Sequence, residues 1–281
     1  MYVQLTLTFI LLTLTFSSSI LIINYIHAAM LNNLKILWHQ GKQFIPDVTT
    51  AKVPGIFRGR PVISDVKVDE VLLAEICPTK AISTNPVSID LGKCTFCGEC
   101  ALQFPDKITF TKDYKLSSND RNLLVIKEGV DQPIEFNPDL IRAEIHRILG
   151  RSLKLRSVSA GGDNSCEWEL NSSNNVQFDM SRFGIDFVAS PRHADGIVIT
   201  GPITVNMAAS VERCYKAVPS PKIIILAGTD AISGGIFADS PAINRTFLSN
   251  HQVDLYVPGN PIHPLTFING VLNLLKKKGA R

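Results

Sequence analysis

From Tyr2 to Ile26 the chain carries no charged side chain, although Thr and Ser interrupt the apolar positions. A run of that length can span a bilayer as a helix. Leu31-Asn32-Asn33-Leu34-Lys35-Ile36-Leu37-Trp38 follows with helical apolar spacing. Pro46, Pro54, Gly55 and the basic Arg58-Gly59-Arg60-Pro61 then predict an extended arm. Residues 116–136 are polar apart from a strand-like run at Leu123–Lys127. Asn137-Pro138-Asp139 predicts a helix start, with Asn137 as N-cap and Pro138 first in the helix, running from Asp139 to Leu149 and stopping at Gly150.

Beyond residue 150 the pattern changes. Apolar runs at Ile185–Ala189, Gly196–Thr200, Lys222–Ala227 and Val253–Val257 predict strands. Between and after them, Ile203–Ala217 and Phe267–Lys278 are periodic and predict helices. Alternating strands and helices imply a mostly parallel sheet with helices on its faces. In such sheets ligands sit beyond the carboxyl ends of the strands. The loops to watch are therefore Gly201-Pro202, Gly228-Thr229-Asp230 with Gly234-Gly235, and Pro258-Gly259-Asn260-Pro261.

A length of 281 residues suggests about two domains, and 45% hydrophobic residues suffice for real cores. The net charge is only +3, which gives no case for a nucleic-acid partner. Lys276-Lys277-Lys278 fits a helix C-terminus. The expected division is a hydrophobic segment over 1–29, a leading helix and arm over 30–60, a cysteine-rich unit over 61–136 and an α/β unit over 137–281. For 1–29 three readings stand side by side. It is a membrane anchor with the following lysines on the cytoplasmic side, a signal peptide ending near His27-Ala28-Ala29, or upstream sequence before a start at Met30.

Chemistry enters with the cysteines. Cys94, Cys97 and Cys100 are spaced by two residues, and Cys77-Pro78 lies upstream. The iron–sulfur run C-x2-C-x2-C-x3-C-P sends its last cysteine to the other cluster of a pair. A first run ending at Cys77 would need cysteines at Lys67, Glu70 and Leu73, and the second run ends at Phe104-Pro105. All ligands of one cluster are thus replaced, and all those of the other are kept. Zinc favours paired C-x2-C knuckles and fits this spacing poorly. Disulfides fit less well still, since such tight spacing reads as metal ligation.

This region resembles a two-cluster bacterial ferredoxin domain that retains a single 4Fe-4S site, held by Cys77, Cys94, Cys97 and Cys100. The second half resembles the small subunit of membrane-bound energy-converting nickel-iron hydrogenases, a family that includes the 20-kDa-type subunit of respiratory complex I. The resemblance rests on the segment from Gly150 through Cys166-Glu167-Trp168-Glu169, on Arg182-Phe183-Gly184-Ile185, on Ser190-Pro191-Arg192-His193-Ala194-Asp195, on Thr200-Gly201 and on Tyr256-Val257-Pro258-Gly259. The first half is similar to the ferredoxin-like subunit of the same complexes, Arg58-Gly59-Arg60-Pro61 included. The chain looks like a fusion of the two. The resemblance implies an α+β ferredoxin-like domain followed by an α/β flavodoxin-like domain.

It also implies four cysteines for a second cluster, and the matching positions are Asp163, Cys166, Asp230 and Asn260. Only the thiol of Cys166 survives there. Soft sulfur selects iron–sulfur clusters and hard oxygen does not, so an empty polar pocket is the expectation. A hard-cation site at Asp163, Asp230 and Asn260 is the alternative. His193 has a docking role in the family's turn, or is simply hydrogen-bonded, and His263 stands where the family has arginine. Cys214 matches no ligand position.

Two functions follow as expectations. In the first, the chain is an electron-transfer subunit with one 4Fe-4S cluster. It works with a hydrogenase-like or complex I-like large subunit and membrane subunits, at the cytoplasmic face of the inner membrane. In the second it is a scaffold for the same partners. No paired C-x2-C motifs of a nickel centre are present.

Overall fold

In the computed structural model the described residues are 27–41, 43–142, 144–145, 152–277 and 279. They belong to two compact units, one ending at Gln43 and one running from Phe44. In the first unit a helix spans 27–40, longer at both ends than the spacing over 31–38 predicts. The uncharged segment before it lies, up to residue 26, outside the described residues. Among the described residues no helix is long and apolar enough to cross a membrane.

The second unit holds three sheets. Strands β1 (Pro61–Ile63) and β4 (Ile108–Phe110) form an antiparallel pair. Strands β2 (Ile82–Ser83), β3 (Ser88–Asp90) and β5 (Val125–Lys127) form a second antiparallel sheet. Two short helices accompany them: α1 (Glu70–Glu75), capped by Asp69, and α2 (Glu99–Gln103). The strand-like run at Leu123–Lys127 is a strand only from Val125, because Arg121–Leu124 turns as a 3-10 helix capped by the Asp120 side chain.

The third sheet is parallel throughout, in the order β10-β9-β8-β6-β7. Its strands are β6 (Leu153–Ser159), β7 (Ile185–Phe187), β8 (Gly196–Thr200), β9 (Ile223–Ala227) and β10 (Leu255–Val257). Numbered along the chain this is the flavodoxin-like order 2-1-3-4-5, which places the switch point between β6 and β8. Both central strands β8 and β9 are buried along their whole length, so alternate residues serve opposite faces. Val198, Ile223 and Ile225 pack on one face with α7 (Pro264–Leu274), which follows α6 (Thr246–Asn250). On the other face, Ile197, Ile199, Ile224 and Leu226 pack with α4 (Val205–Ala217).

Four expectations need correction. Leu153–Ser159, read only as the approach to a cluster loop, is the longest strand of the sheet; its alternation of Leu153 and Leu155 with polar residues was the signal. Asn137 does cap Pro138, but the turn is 3-10 and ends at Leu140. Ile141 is extended there, and the Arg142 guanidinium reaches across to Asp254 and the Lys222 carbonyl. The predicted helix is present at 144–145, which are α-helical, and its remainder beyond 145 lies outside the described residues. Helix α4 starts at Val205 instead of Ile203, whose φ of +63° takes it out of the helical region. Helix α7 starts three residues earlier than predicted and ends at Leu274, because His263 caps it and Pro264 opens it.

Candidate functional site: a thiol pocket and a stripped pocket

Cys77 follows the end of helix α1, the turn after β3 delivers Cys94, and α2 carries Cys100. With Cys97 between them, all four thiols line one cavity, whose walls include Ile76, Ile82, Ile89 and Phe110. The cavity is narrow, with a volume of about 20 Å3. The loop wraps by left-handed turns at Phe96 (φ +55°) and Gly98 (φ +81°). A side chain at Gly98 would strike Arg58, whose guanidinium holds the Phe96 carbonyl at 2.9 Å. Two sulfurs already accept backbone hydrogen bonds: Ala81 N–H to Cys77 Sγ at 3.2 Å and Phe96 N–H to Cys94 Sγ at 3.3 Å.

Burial pushes the Cys94 thiol up to about 12, and burial with the nearby Cys97 pushes Cys100 up to about 11. Cys94 is buried, Cys77 and Cys100 are half-buried and Cys97 is exposed, so the site opens to solvent at Cys97. All six cysteines of the chain are free thiols. Among the described residues, no three of His, Cys, Asp or Glu converge tightly enough to hold a single metal ion. Four thiols lining one cavity are soft donors, the type that iron–sulfur groups take.

The positions of the missing first-run ligands are filled. Leu73 is fully buried, and Phe104 packs against the same core as Ile63 and Ile108. Lys67 is exposed and Glu70 accepts from the Asn85 N–H. Sequence reading missed the neighbouring Lys107, whose buried ammonium donates to the Val66 carbonyl at 2.8 Å and to Glu128 at 2.6 Å. Nothing in its spacing distinguished it from a surface lysine.

The second candidate site lies beyond the carboxyl ends of β6 and β9 and is tightly packed: a Cβ at Gly228 would lie 2.5 Å from Cys166 Sγ. Asp163, in the loop after β6, is exposed and accepts from the N–H and hydroxyl of Ser165, which hold its carboxyl below the usual range. Cys166 is buried in the first turn of α3 (Ser165–Ser172), and burial pushes its thiol up to about 12. Asp230, at the start of α5 (Thr229–Ser233), is 7% exposed, and its Oδ1 finds no hydrogen-bond partner. Burial, then the charges of Asp163 and Glu167, push its carboxyl up to about 6. Glu167 was not singled out by sequence; its carboxylate accepts from the Thr200 hydroxyl at 2.7 Å.

Asp163, Cys166 and Asp230 therefore share one neighbourhood. Asn260 instead lines a cleft with Phe57, Arg58, Thr95, Phe96 and His263. His263 accepts from the Leu265 N–H, is flanked edge-on by the rings of Phe57 and Phe178, and is pushed down to about 4 by burial. His193 is exposed on a 3-10 turn, and Cys214 is half-buried on α4. The two pockets meet at one hydrogen bond, from the Thr229 hydroxyl to the Cys94 carbonyl at 2.8 Å.

Comparison with known proteins bears on the second pocket. Residues 164–274 match the family described as NADH ubiquinone oxidoreductase, 20 Kd subunit. The probable membrane-bound hydrogenase subunit mbhJ of Pyrococcus furiosus is 36% identical over 135 residues, covering 48% of this chain and 81% of that protein. The chain belongs to the 20 Kd subunit family. An NADH-quinone oxidoreductase subunit of Heliobacterium modesticaldum is 38% identical over 56% of this chain and 91% of its own length. Formate hydrogenlyase subunit 7 of Escherichia coli is 35% identical over 58% of this chain and 64% of its own. The family match contains Cys166, Asp230 and Asn260, whereas the thiol pocket lies outside it.

Proposed function

We propose that this chain is an electron-transfer subunit of a membrane-associated complex related to energy-converting hydrogenases and respiratory complex I. In this reading residues 61–136 are a ferredoxin-like unit and 137–281 a hydrogenase small subunit-like unit. Cys77, Cys94, Cys97 and Cys100 hold one 4Fe-4S cluster, and the small-subunit cluster site is lost. The observation that carries the proposal is the set of four thiols around one cavity, two of them already hydrogen-bonded by backbone N–H groups.

A cluster of this kind supplies one-electron transfer, with its potential set by hydrogen bonds, burial and charge around the sulfurs. The chain's own residues provide each lever. The Ala81 and Phe96 N–H groups favour the more negative state, and Ile76, Ile82, Ile89 and Phe110 exclude water. In the second pocket Asp163, Asp230 and Asn260 offer oxygen and amide where soft sulfur is needed, so no relay station forms beside Cys166. Electrons then leave the first cluster by another route.

The named relatives support the partners, which are a hydrogenase-like or complex I-like large subunit and membrane subunits. In this reading the chain works with them at the cytoplasmic face of the inner membrane, with no nucleic acid. The stripped pocket favours a second reading for the α/β half, which docks those partners as a scaffold. Replacing Cys97 by Ser in the assembled complex decides between them. Electron transfer through the complex is lost if the cluster carries it, and persists if the chain is a scaffold.

A further inference from the structure

A cleft of about 320 Å3 lies within the second unit, against the loop between Cys94 and Cys97. That volume is at the small end of ligand sites and suits about one or two rings. Thr95 and Phe96 contribute from the cysteine loop, Phe57 and Arg58 from the arm, and Asn260 and His263 from the loop after β10. Thr266, in the first turn of α7, completes the lining.

The polar groups of the cleft are left over from folding. Thr266 is 1% exposed, and its hydroxyl has no hydrogen-bond partner among the described residues. A buried hydroxyl in that state costs stability unless a ligand or water serves it. His263 accepts the Leu265 N–H on Nδ1, so its neutral ring carries the proton on Nε2. That Nε2–H, the Asn260 amide and the Thr95 hydroxyl find no partner among the described residues either. Arg58 spends one N–H of its fork on the Phe96 carbonyl and keeps the others.

Charge then selects the ligand. No Asp or Glu lines the cleft, Arg58 is cationic, and burial pushes His263 down to about 4, which holds it neutral. Helix α7 is eleven residues long and turns its N-terminus, the positive end of its dipole, toward this lining. Arg58, Asn260 and His263 all offer N–H groups, so the ligand supplies acceptor oxygens. Phe57, Phe96 and Pro261 offer flat apolar surface to the rest of it.

We infer that this cleft binds a small aromatic acid, with its carboxylate toward Arg58 and the N-terminus of α7 and its ring against Phe57 and Phe96. Thr95 and Phe96 sit between two of the proposed cluster ligands, so the bound anion is felt there. It disfavours the more negative, reduced cluster and lowers the midpoint potential. That consequence rests on the proposed cluster, whereas binding does not, and the two can fail separately.

The test is equilibrium dialysis of the full chain, purified without oxygen, against 1-naphthoate. The expected Kd is tighter than about 1 mM, which ordinary ligand efficiency gives for its size. The cation 1-naphthylmethylammonium and ring-free acetate bind about tenfold more weakly or worse, and neutral 1-naphthamide falls between. Thr266→Val weakens 1-naphthoate binding about fivefold. Its urea midpoint does not drop, because the lost hydroxyl has no partner in the free chain. Arg58→Gln brings 1-naphthoate to the level of 1-naphthamide. Arg58 also steadies the cysteine loop, so Asn260→Ala is the companion variant, and it weakens both compounds. No binding at millimolar 1-naphthoate, equal affinity for the cation, or variants that bind like the parent overturn the inference. Binding that disappears when the complex is assembled overturns it too and assigns the cleft to a protein partner. With binding intact, a midpoint that 1-naphthoate leaves unmoved counts against the cluster beside the cleft and not against the ligand site.

Discussion

The thiol pocket and the stripped pocket touch through the Thr229–Cys94 hydrogen bond, yet they have opposite chemistry. One gathers four thiols into an apolar wall. The other surrounds a single buried thiol with Asp163, Glu167 and Asp230. Burial lifts Cys94 and Cys100 in one, and Cys166 and Asp230 in the other, toward the neutral form. Backbone N–H groups offset the burial of thiols in both, from Ala81 and Phe96 in the first and from Ile262 to Cys166 in the second, but Asp230 Oδ1 has no partner. A scaffold can thus stay nearly intact while the donor set decides whether it holds metal.

The largest expected effect is on iron. Cys97→Ser lowers iron from about four per chain to near zero and removes the visible absorbance shoulder. Iron retained in that variant would break the contrast between the pockets at once. Next comes the filled first-run site. Leu73 is fully buried where a ligand would stand, so Leu73→Ala costs about 2–5 kcal/mol, read from the urea midpoint. A cost well below that range would mean the site is loosely packed instead of refilled.

Proton linkage separates the pockets further. The Asp230 carboxyl, raised from 3.8 to about 6, binds its proton more tightly when folded. The stability it lends is full below its unfolded value and is lost as pH rises through about 6. Above that window Asp230→Asn is the more stable chain, by roughly 1–3 kcal/mol, and the slope between the two pKa values flattens. His263 runs the other way. Lowered from 6.5 to about 4, it lends stability above the unfolded value that is lost as pH falls toward the folded one. His263→Gln flattens that part of the profile. The smallest effect belongs to Cys166→Ser, which leaves iron content and spectrum unchanged. A drop in iron there would place a cluster in the second pocket.

Much of this contrast was legible in the order of residues. Thiol spacing at Cys94, Cys97 and Cys100 reports directly on a loop, because ligands to one group must sit close in sequence or be brought close by a turn. The apolar runs of β8 and β9 were equally plain, since both faces of a central strand are covered. What stayed hidden depends on distant partners. The helix predicted from Asn137 is interrupted after its first turn at Arg142, which is tied to Asp254, 112 positions away, and is helical again at 144–145. Lys107 and Glu167 acquire their roles only from Glu128 and Thr200, which the fold brings beside them.

Iron analysis with electron paramagnetic resonance, on the full chain purified without oxygen and then reduced, tests the central claim most directly. The account predicts about four irons per chain and one reduced-cluster signal, both lost in Cys97→Ser and kept in Cys166→Ser. About eight irons with two interacting signals, or zinc in place of iron, would contradict it.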